Sequence, residues 1–98
     1  MVGGITKLMR VAEVARVRGK RVVTHGYKSN ITIAANLGFL SRHWADEPSE
    51  FSISEFPLRW DLTREHFPIG PDGRIAVPQG PGLGVSLDPA TVARFRVA

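Results

Sequence analysis

Ninety-eight residues leave room for one domain at most. Hydrophobic residues at 43% and charged residues at 22% are ordinary for a globular chain and exclude a disordered one. The absence of cysteine excludes a disulfide framework, a thiolate metal site and a cysteine nucleophile. The net charge is +4, yet the thirteen Lys and Arg are scattered. Their densest cluster, Arg16, Arg18, Lys20 and Arg21, falls at a helix end, where the helix dipole favours cations. No nucleic acid and no membrane are therefore expected as partners. No charged lead precedes an apolar run, so no secretory signal is expected, and no apolar stretch approaches the ~20 residues of a membrane span. The expected location is the cytoplasm.

The chain opens on Gly3-Gly4-Ile5-Thr6, with Thr6 a good N-cap for a helix from about Lys7 to Arg18. Leu8, Val11, Ala12 and Ala15 recur at helical period and predict its buried face. Gly19 supplies the stop, since glycine takes the left-handed cap cheaply. Arg21-Val22-Val23-Thr24-His25 is β-branched and predicts a buried strand. A tight loop over Gly26 to Ser29 leads to Asn30, a candidate cap for a second helix over about 31–44 with Ile33, Leu37, Leu40 and Trp44 on its apolar face. Glu50 to Ser54 predicts another strand. This order of helix, strand, helix, strand is the rhythm of a parallel sheet or barrel and sets the fold class as α/β.

After residue 55 the texture changes, and prolines concentrate there. Gly70-Pro71-Asp72-Gly73 predicts a turn between Phe67-Pro68-Ile69 and Arg74-Ile75-Ala76-Val77, hence a small hairpin. Pro78 to Gly84 reads as a proline- and glycine-rich arm. Asp88-Pro89 is an N-cap followed by proline at the first helical position, opening a short last helix over about 90–95. The division expected is residues 1–56 as βα units and 57–98 as an appendage with hairpin, arm and short helix.

Taken in order, Gly3-Gly4-Ile5-Thr6, His25-Gly26-Tyr27-Lys28-Ser29-Asn30-Ile31, Glu50-Phe51, Pro57-Leu58-Arg59 and Pro81-Gly82-Leu83-Gly84-Val85 make a string that resembles the C-terminal end of the mandelate racemase / muconate lactonizing family of the enolase superfamily. Each motif is short, and it is their order and spacing that carry the resemblance. It implies the last βα units of a (β/α)-barrel together with the C-terminal part of a capping domain. It also implies a reaction that begins by removing the proton α to a carboxylate of a hydroxy acid or sugar acid, with Mg²⁺ stabilising the enediolate.

The resemblance maps His25 onto the histidine base of the racemase and acid-sugar dehydratase branch. The residues themselves are compatible: an imidazole at a strand end before a glycine loop stands where barrel chemistry sits and can take and return a proton. A histidine that only bonds a backbone carbonyl is the plainer reading. Glu50 matches a carboxyl that bonds the substrate carboxylate or the enediolate oxygen, with Glu55 its rival in a shifted register, and either one is otherwise a solvated rim carboxylate. Tyr27 and Lys28, in the loop after His25, are the substrate-binding candidates, although a surface cation is the simpler account of Lys28. His43 and His66 show no metal-ligand spacing and read as structural or exposed.

The family's acidic metal ligands, its Lys-x-Lys base and the aspartate that orients its histidine belong to earlier strands, and none of them occurs in these 98 residues. No metal is expected to bind this chain alone, Mg²⁺ belonging to the complete enzyme. The expectation is a piece of an isomerase or lyase, inactive alone and marginal as a monomer, which associates with itself or with a missing N-terminal part. The alternative is a non-catalytic βα module that binds a protein partner through exposed sheet edges.

Overall fold

The helix over Asn30–His43 organises the molecule because it is apolar on two faces. In the computed structural model, which describes residues 3–97, four helices follow one another: α1 (Ile5–Val17), α2 (Asn30–His43), α3 (Pro57–Asp61) and α4 (Pro89–Arg94). One face of α2, with Ile33, Ala34 and Leu37, buries Phe67 and packs against Phe51, Ile75, Val77, Leu83 and Val85 of the later chain. The other face, with Phe39 and Leu40, buries Ala12 of α1 and is flanked by Leu8, Val22 and Trp44. Phe39 lies off the single stripe expected from periodicity, and its burial alone stabilises the α1–α2 contact by about 2 kcal/mol.

Local signals placed the helix ends well where they were purely local. Gly19, at φ +62°, closes α1: its N–H donates to the Arg16 carbonyl at 3.0 Å and the Lys20 N–H to the Ala15 carbonyl at 2.8 Å, the paired bonds of a Schellman cap. Asp88 caps α4, its Oδ1 accepting from the Thr91 N–H at 2.7 Å, and Pro89 occupies the first turn. Two expected caps are corrected. Gly4, not Thr6, precedes α1, so Thr6 lies within the first turn. Ser29 precedes α2, and Asn30 is its first helical residue, with its side chain turned to a tertiary task.

The expected strands are also corrected. Neither residues 21–25 nor 50–54 form a named strand among the described residues. A strand is defined by a partner that accepts its backbone bonds, and no ladder joins these two runs. The first run keeps the period of two even so: Val22 and Thr24 are covered, while Val23 and His25 are exposed. Pairing survives only as two isolated antiparallel bridges, Ile69 with Ile75 and Thr63 with Leu87. The first is the expected hairpin, closed by Gly70 N–H donating to the Arg74 carbonyl at 2.7 Å. The second ties the chain after α3 to the chain before α4, through Arg64 N–H to the Ser86 carbonyl and Asp88 N–H to the Leu62 carbonyl.

Helix α3 was not foreseen. Pro57 opens it at a position where a missing N–H costs nothing. From it Arg59 projects inward and is the bulkiest side chain in the interior, at 1% exposure. Its Nη1 donates to Asn30 Oδ1 at 3.2 Å and its Nη2 to the Ser52 carbonyl. The guanidinium lies 3.9 Å from the Trp60 ring centroid and 5.0 Å from that of Phe51. Asn30, fully buried, donates from Nδ2 to the carbonyls of Trp60 at 3.1 Å and Glu65 at 3.3 Å. Burial lowers the Arg59 pKa from its ordinary value, but an arginine remains protonated at any physiological pH.

The C-terminal region is held by two carboxylates. Glu65 accepts from both the Ser86 N–H and the Ser86 hydroxyl at 2.7 Å, and those bonds lower its pKa, as the Thr91 N–H lowers that of Asp88. A depressed carboxylate pKa contributes stability above its unfolded value and loses it as pH falls through the folded one. We therefore expect the Ser86 and Thr91 amides to lose hydrogen-exchange protection first, as pH drops below about 4. Exchange followed by NMR across that range checks this, and protection unchanged down to about pH 2 would contradict it.

The radius of gyration, 14.5 Å, exceeds the ~13 Å of a compact domain of about this length. Apolar side chains stand uncovered accordingly. Val17 is 77% exposed and Ile53 84% exposed, and Val11, Val14 and Val23 are exposed as well. No helix among the described residues is long and apolar enough to cross a membrane.

Candidate active site

His25 ends the run that follows α1, and Glu50 begins the run that follows α2. The structure brings them together, with His25 Nδ1 2.6 Å from Glu50 Oε2. An ionised carboxylate only accepts, so Nδ1–H donates and Nε2 is left free. The His25 side chain is 75% exposed. A solvated pair of this kind adds little to stability, so its consequence is orientation of the ring. The sequence reading leaves the histidine tautomer without a carboxylate to fix it; in the structure Glu50 stands at that nitrogen. Glu50 was expected to bond the substrate carboxylate or the enediolate oxygen; its rival Glu55 is exposed and is not the carboxyl that meets His25.

Of the other candidates, Tyr27 packs its ring against His25 with centroids 4.8 Å apart, and Lys28 is exposed in the same loop. His43 is taken up structurally: it lies against Phe39 and Trp44, with Nε2 3.5 Å from Met9 Sδ. His66 is exposed. The loop between His25 and α2 depends on Gly26. A Cβ there would lie 2.6 Å from Thr32 Cγ2 and 3.0 Å from Asn36 Nδ2, both on α2. Gly26→Ala should push the loop off the helix, costing about 1–3 kcal/mol as overpacking does and separating His25 from Glu50. A thermal melt together with NMR contacts between the two side chains checks both effects.

Sequence reasoning missed Arg59 and Asn30 as parts of this neighbourhood. Arg59 was present only within the Pro57-Leu58-Arg59 string, and Asn30 was read as a helix cap. The signal was a charged residue inside an apolar stretch, Phe56-Pro57-Leu58-Arg59-Trp60, where a solvated arginine is not the natural expectation.

The chain belongs to the enolase C-terminal domain-like family, whose pattern matches residues 1–91. It is 30% identical over 103 residues to D-galactarolactone cycloisomerase of Agrobacterium fabrum, covering 97% of this chain and 27% of that protein. It is 33% identical over 99 residues to L-rhamnonate dehydratase of Saccharopolyspora erythraea, covering 94% and 24%. A solved structure of a predicted mandelate racemase from Rhodobacter sphaeroides superposes with a TM-score of 0.87 at 30% identity, over 97% of this chain and 24% of that one. The chain spans about a quarter of the length of the curated relatives it matches. The fold is thus that of part of an enolase-superfamily protein, and the resemblance read from the sequence holds.

Magnesium, which this superfamily generally uses, takes several oxygen ligands in octahedral geometry. Among the described residues no group of three or more His, Asp or Glu comes together, and the near oxygen of Glu50 is occupied by His25. The described residues of this chain do not by themselves fit a magnesium site.

Proposed function

We propose that these residues are the C-terminal part of a (β/α)-barrel enzyme that removes the proton α to the carboxylate of a hydroxy acid or sugar acid, in the racemase or acid-sugar dehydratase branch, and that they are inactive alone. In this reading residues 1–56 are the last βα units of the barrel and 57–98 the C-terminal share of the capping domain. The observation that carries it is the 2.6 Å contact of His25 Nδ1 with Glu50 Oε2. With Nδ1–H held by a carboxylate, Nε2 presents its lone pair to a substrate C–H, and the imidazolium that forms is stabilised by the same carboxylate. The proton then returns to carbon or passes to a departing hydroxyl, which separates racemisation from dehydration. Tyr27 shields one side of the ring, and Lys28, exposed in the same loop, meets the substrate anion in this reading. The metal and a second base come from other parts of the barrel. Inactivity alone follows from exposure: water reaches the ring freely, so no dry, preorganised environment surrounds the reacting carbon.

The test is α-proton exchange in D₂O, with magnesium and a panel of hydroxy and sugar acids, read by NMR. The chain alone should give none, and exchange by it would overturn the inactivity. Joined in place of the matching segment of the Saccharopolyspora L-rhamnonate dehydratase, it should restore exchange. A folded, magnesium-binding chimera without exchange would overturn the catalytic reading.

The second reading, a non-catalytic module that binds a partner, draws on the exposed Val14, Val17 and Ile53 and on an open groove of about 430 Å³ whose lining includes Ile5, Met9, Phe39, Val77 and Leu83. Concentration-dependent association indifferent to magnesium and to hydroxy acids would favour it.

A further inference from the structure

Asparagine suits the cap of a helix, yet α2 has no side-chain cap: Ser29 stands at that position and its hydroxyl bonds no first-turn amide. Asn30 comes one residue later, is fully buried and is turned away from the helix it opens. Its Nδ2 donates to the carbonyls of Trp60 and Glu65, and its Oδ1 accepts from Arg59 Nη1. The opposite orientation of the amide would not serve, because a carbonyl only accepts and a guanidinium only donates. The whole amide is thus engaged by the chain at and just after α3, 29 to 35 residues away. That stretch is held in turn: the Glu65 carbonyl also takes the Thr63 hydroxyl at 2.9 Å, and the Glu65 carboxylate bonds Ser86.

On the other side of Asn30 lies the loop of residues 26–29. It runs straight into α2, and the Ser29 carbonyl accepts from the N–H groups of Thr32 at 3.0 Å and Ile33 at 3.2 Å. Gly26, at the start of the loop, lies against the same first turns, with no room for a Cβ beside Thr32. The loop therefore follows the start of α2, and the start of α2 follows Asn30. Tyr27 and Lys28 belong to that loop, and the Tyr27 ring centroid lies 4.8 Å from that of His25. None of these contacts involves backbone pairing of residues 21–25 or 50–54. A buried amide is destabilising unless its groups find partners, and once satisfied it admits one arrangement. An apolar residue would fill the same space and leave the start of α2 free to slide on α3.

We infer that Asn30 is a positioning residue for the substrate-binding loop: it ties residues 26–29 to the chain after α3 and so sets where Tyr27 and Lys28 stand relative to His25. This rests on the reading of that loop as the one that meets the substrate anion, and the experiment separates the two. A contact made alike in the ground state and the transition state changes KM and leaves kcat alone. In the dehydratase chimera, Asn30→Asp, which keeps the oxygen and loses both donors, should raise KM about tenfold, the loss of one charged contact, with kcat little changed. In the full 98-residue chain the same variant is followed by NMR. Tyr27 is the only tyrosine, so its ring signals assign themselves. Its contacts with His25 should disappear, and the Thr32 and Ile33 amides should lose exchange protection, while far-UV circular dichroism keeps its helical signal.

Tyr27–His25 contacts missing from the unsubstituted chain, or kept in a folded Asn30→Asp chain, overturn the tether. A chimera whose KM stays put, or whose kcat alone falls, overturns its bearing on the substrate anion. An unsubstituted chimera that folds and shows no exchange sinks the proton-transfer reading, and the NMR result still decides the tether. Should Asn30→Asp lose its helices, Arg59→Met, which leaves both donor bonds of Asn30 in place, should keep the contacts and the protection. Their loss in a folded Arg59→Met chain, or unfolding of both variants, makes Asn30 a brace of the fold and nothing more.

Discussion

His25→Asn, introduced into a barrel completed by this segment, is expected to lower α-proton exchange by about 10²–10⁴-fold, the usual share of a general base. The fold should hardly notice, because the His25 side chain is largely in water and covers none of the buried core. A fall in rate without a fall in melting temperature is thus the expected signature. Glu50→Ala should cost at least about tenfold by releasing the ring to its other tautomer, an effect of orientation and imidazolium stabilisation. Because the two side chains act as a unit, the double variant should be scarcely slower than His25→Asn alone. Rates that multiply, each substitution costing its full factor in the presence of the other, would show that Glu50 works on the substrate independently of His25.

How much of this was legible in the sequence depended on how far away the deciding partner lay. Gly19 and Asp88-Pro89 act on backbone atoms within five residues, and both ends were placed from local chemistry. The turn at residues 70–73 was likewise local. Asn30 was read as a cap because its type suits one, yet its amide serves carbonyls 30 and 35 residues further on, which no window reveals. Phe39 was left off the buried face because a single stripe was assumed, whereas α2 is covered on both sides. The strand signal at Val22, Val23 and Thr24 was real in its alternation, but hydrogen-bonded pairing is a property of neighbours, and the described residues supply none there. His25 and Glu50 were each found through resemblance; the bond between them was not, since it depends on how two unpaired runs are held side by side.

That holding makes Asn30 the residue whose loss should unsettle the fold most. Asn30→Ala removes an acceptor from a buried guanidinium and strips donors from the carbonyls of Trp60 and Glu65. Each buried polar group left without a partner costs about 1–3 kcal/mol, and the improved helix propensity of alanine returns at most ~0.7 kcal/mol. A net loss of about 3 kcal/mol is a large share of the ~5–15 kcal/mol of an ordinary domain. It corresponds to a drop in melting temperature of more than about 10 °C for a chain of this size. The strain falls on Arg59, so pairing the change with Arg59→Met should recover part of the loss, with a coupling of about 1–3 kcal/mol. A drop below about 4 °C for Asn30→Ala, or strict additivity with Arg59→Met, would mean that α2, α3 and the Glu50 run are held together by their apolar contacts. The buried polar cluster would then be a passenger in the core.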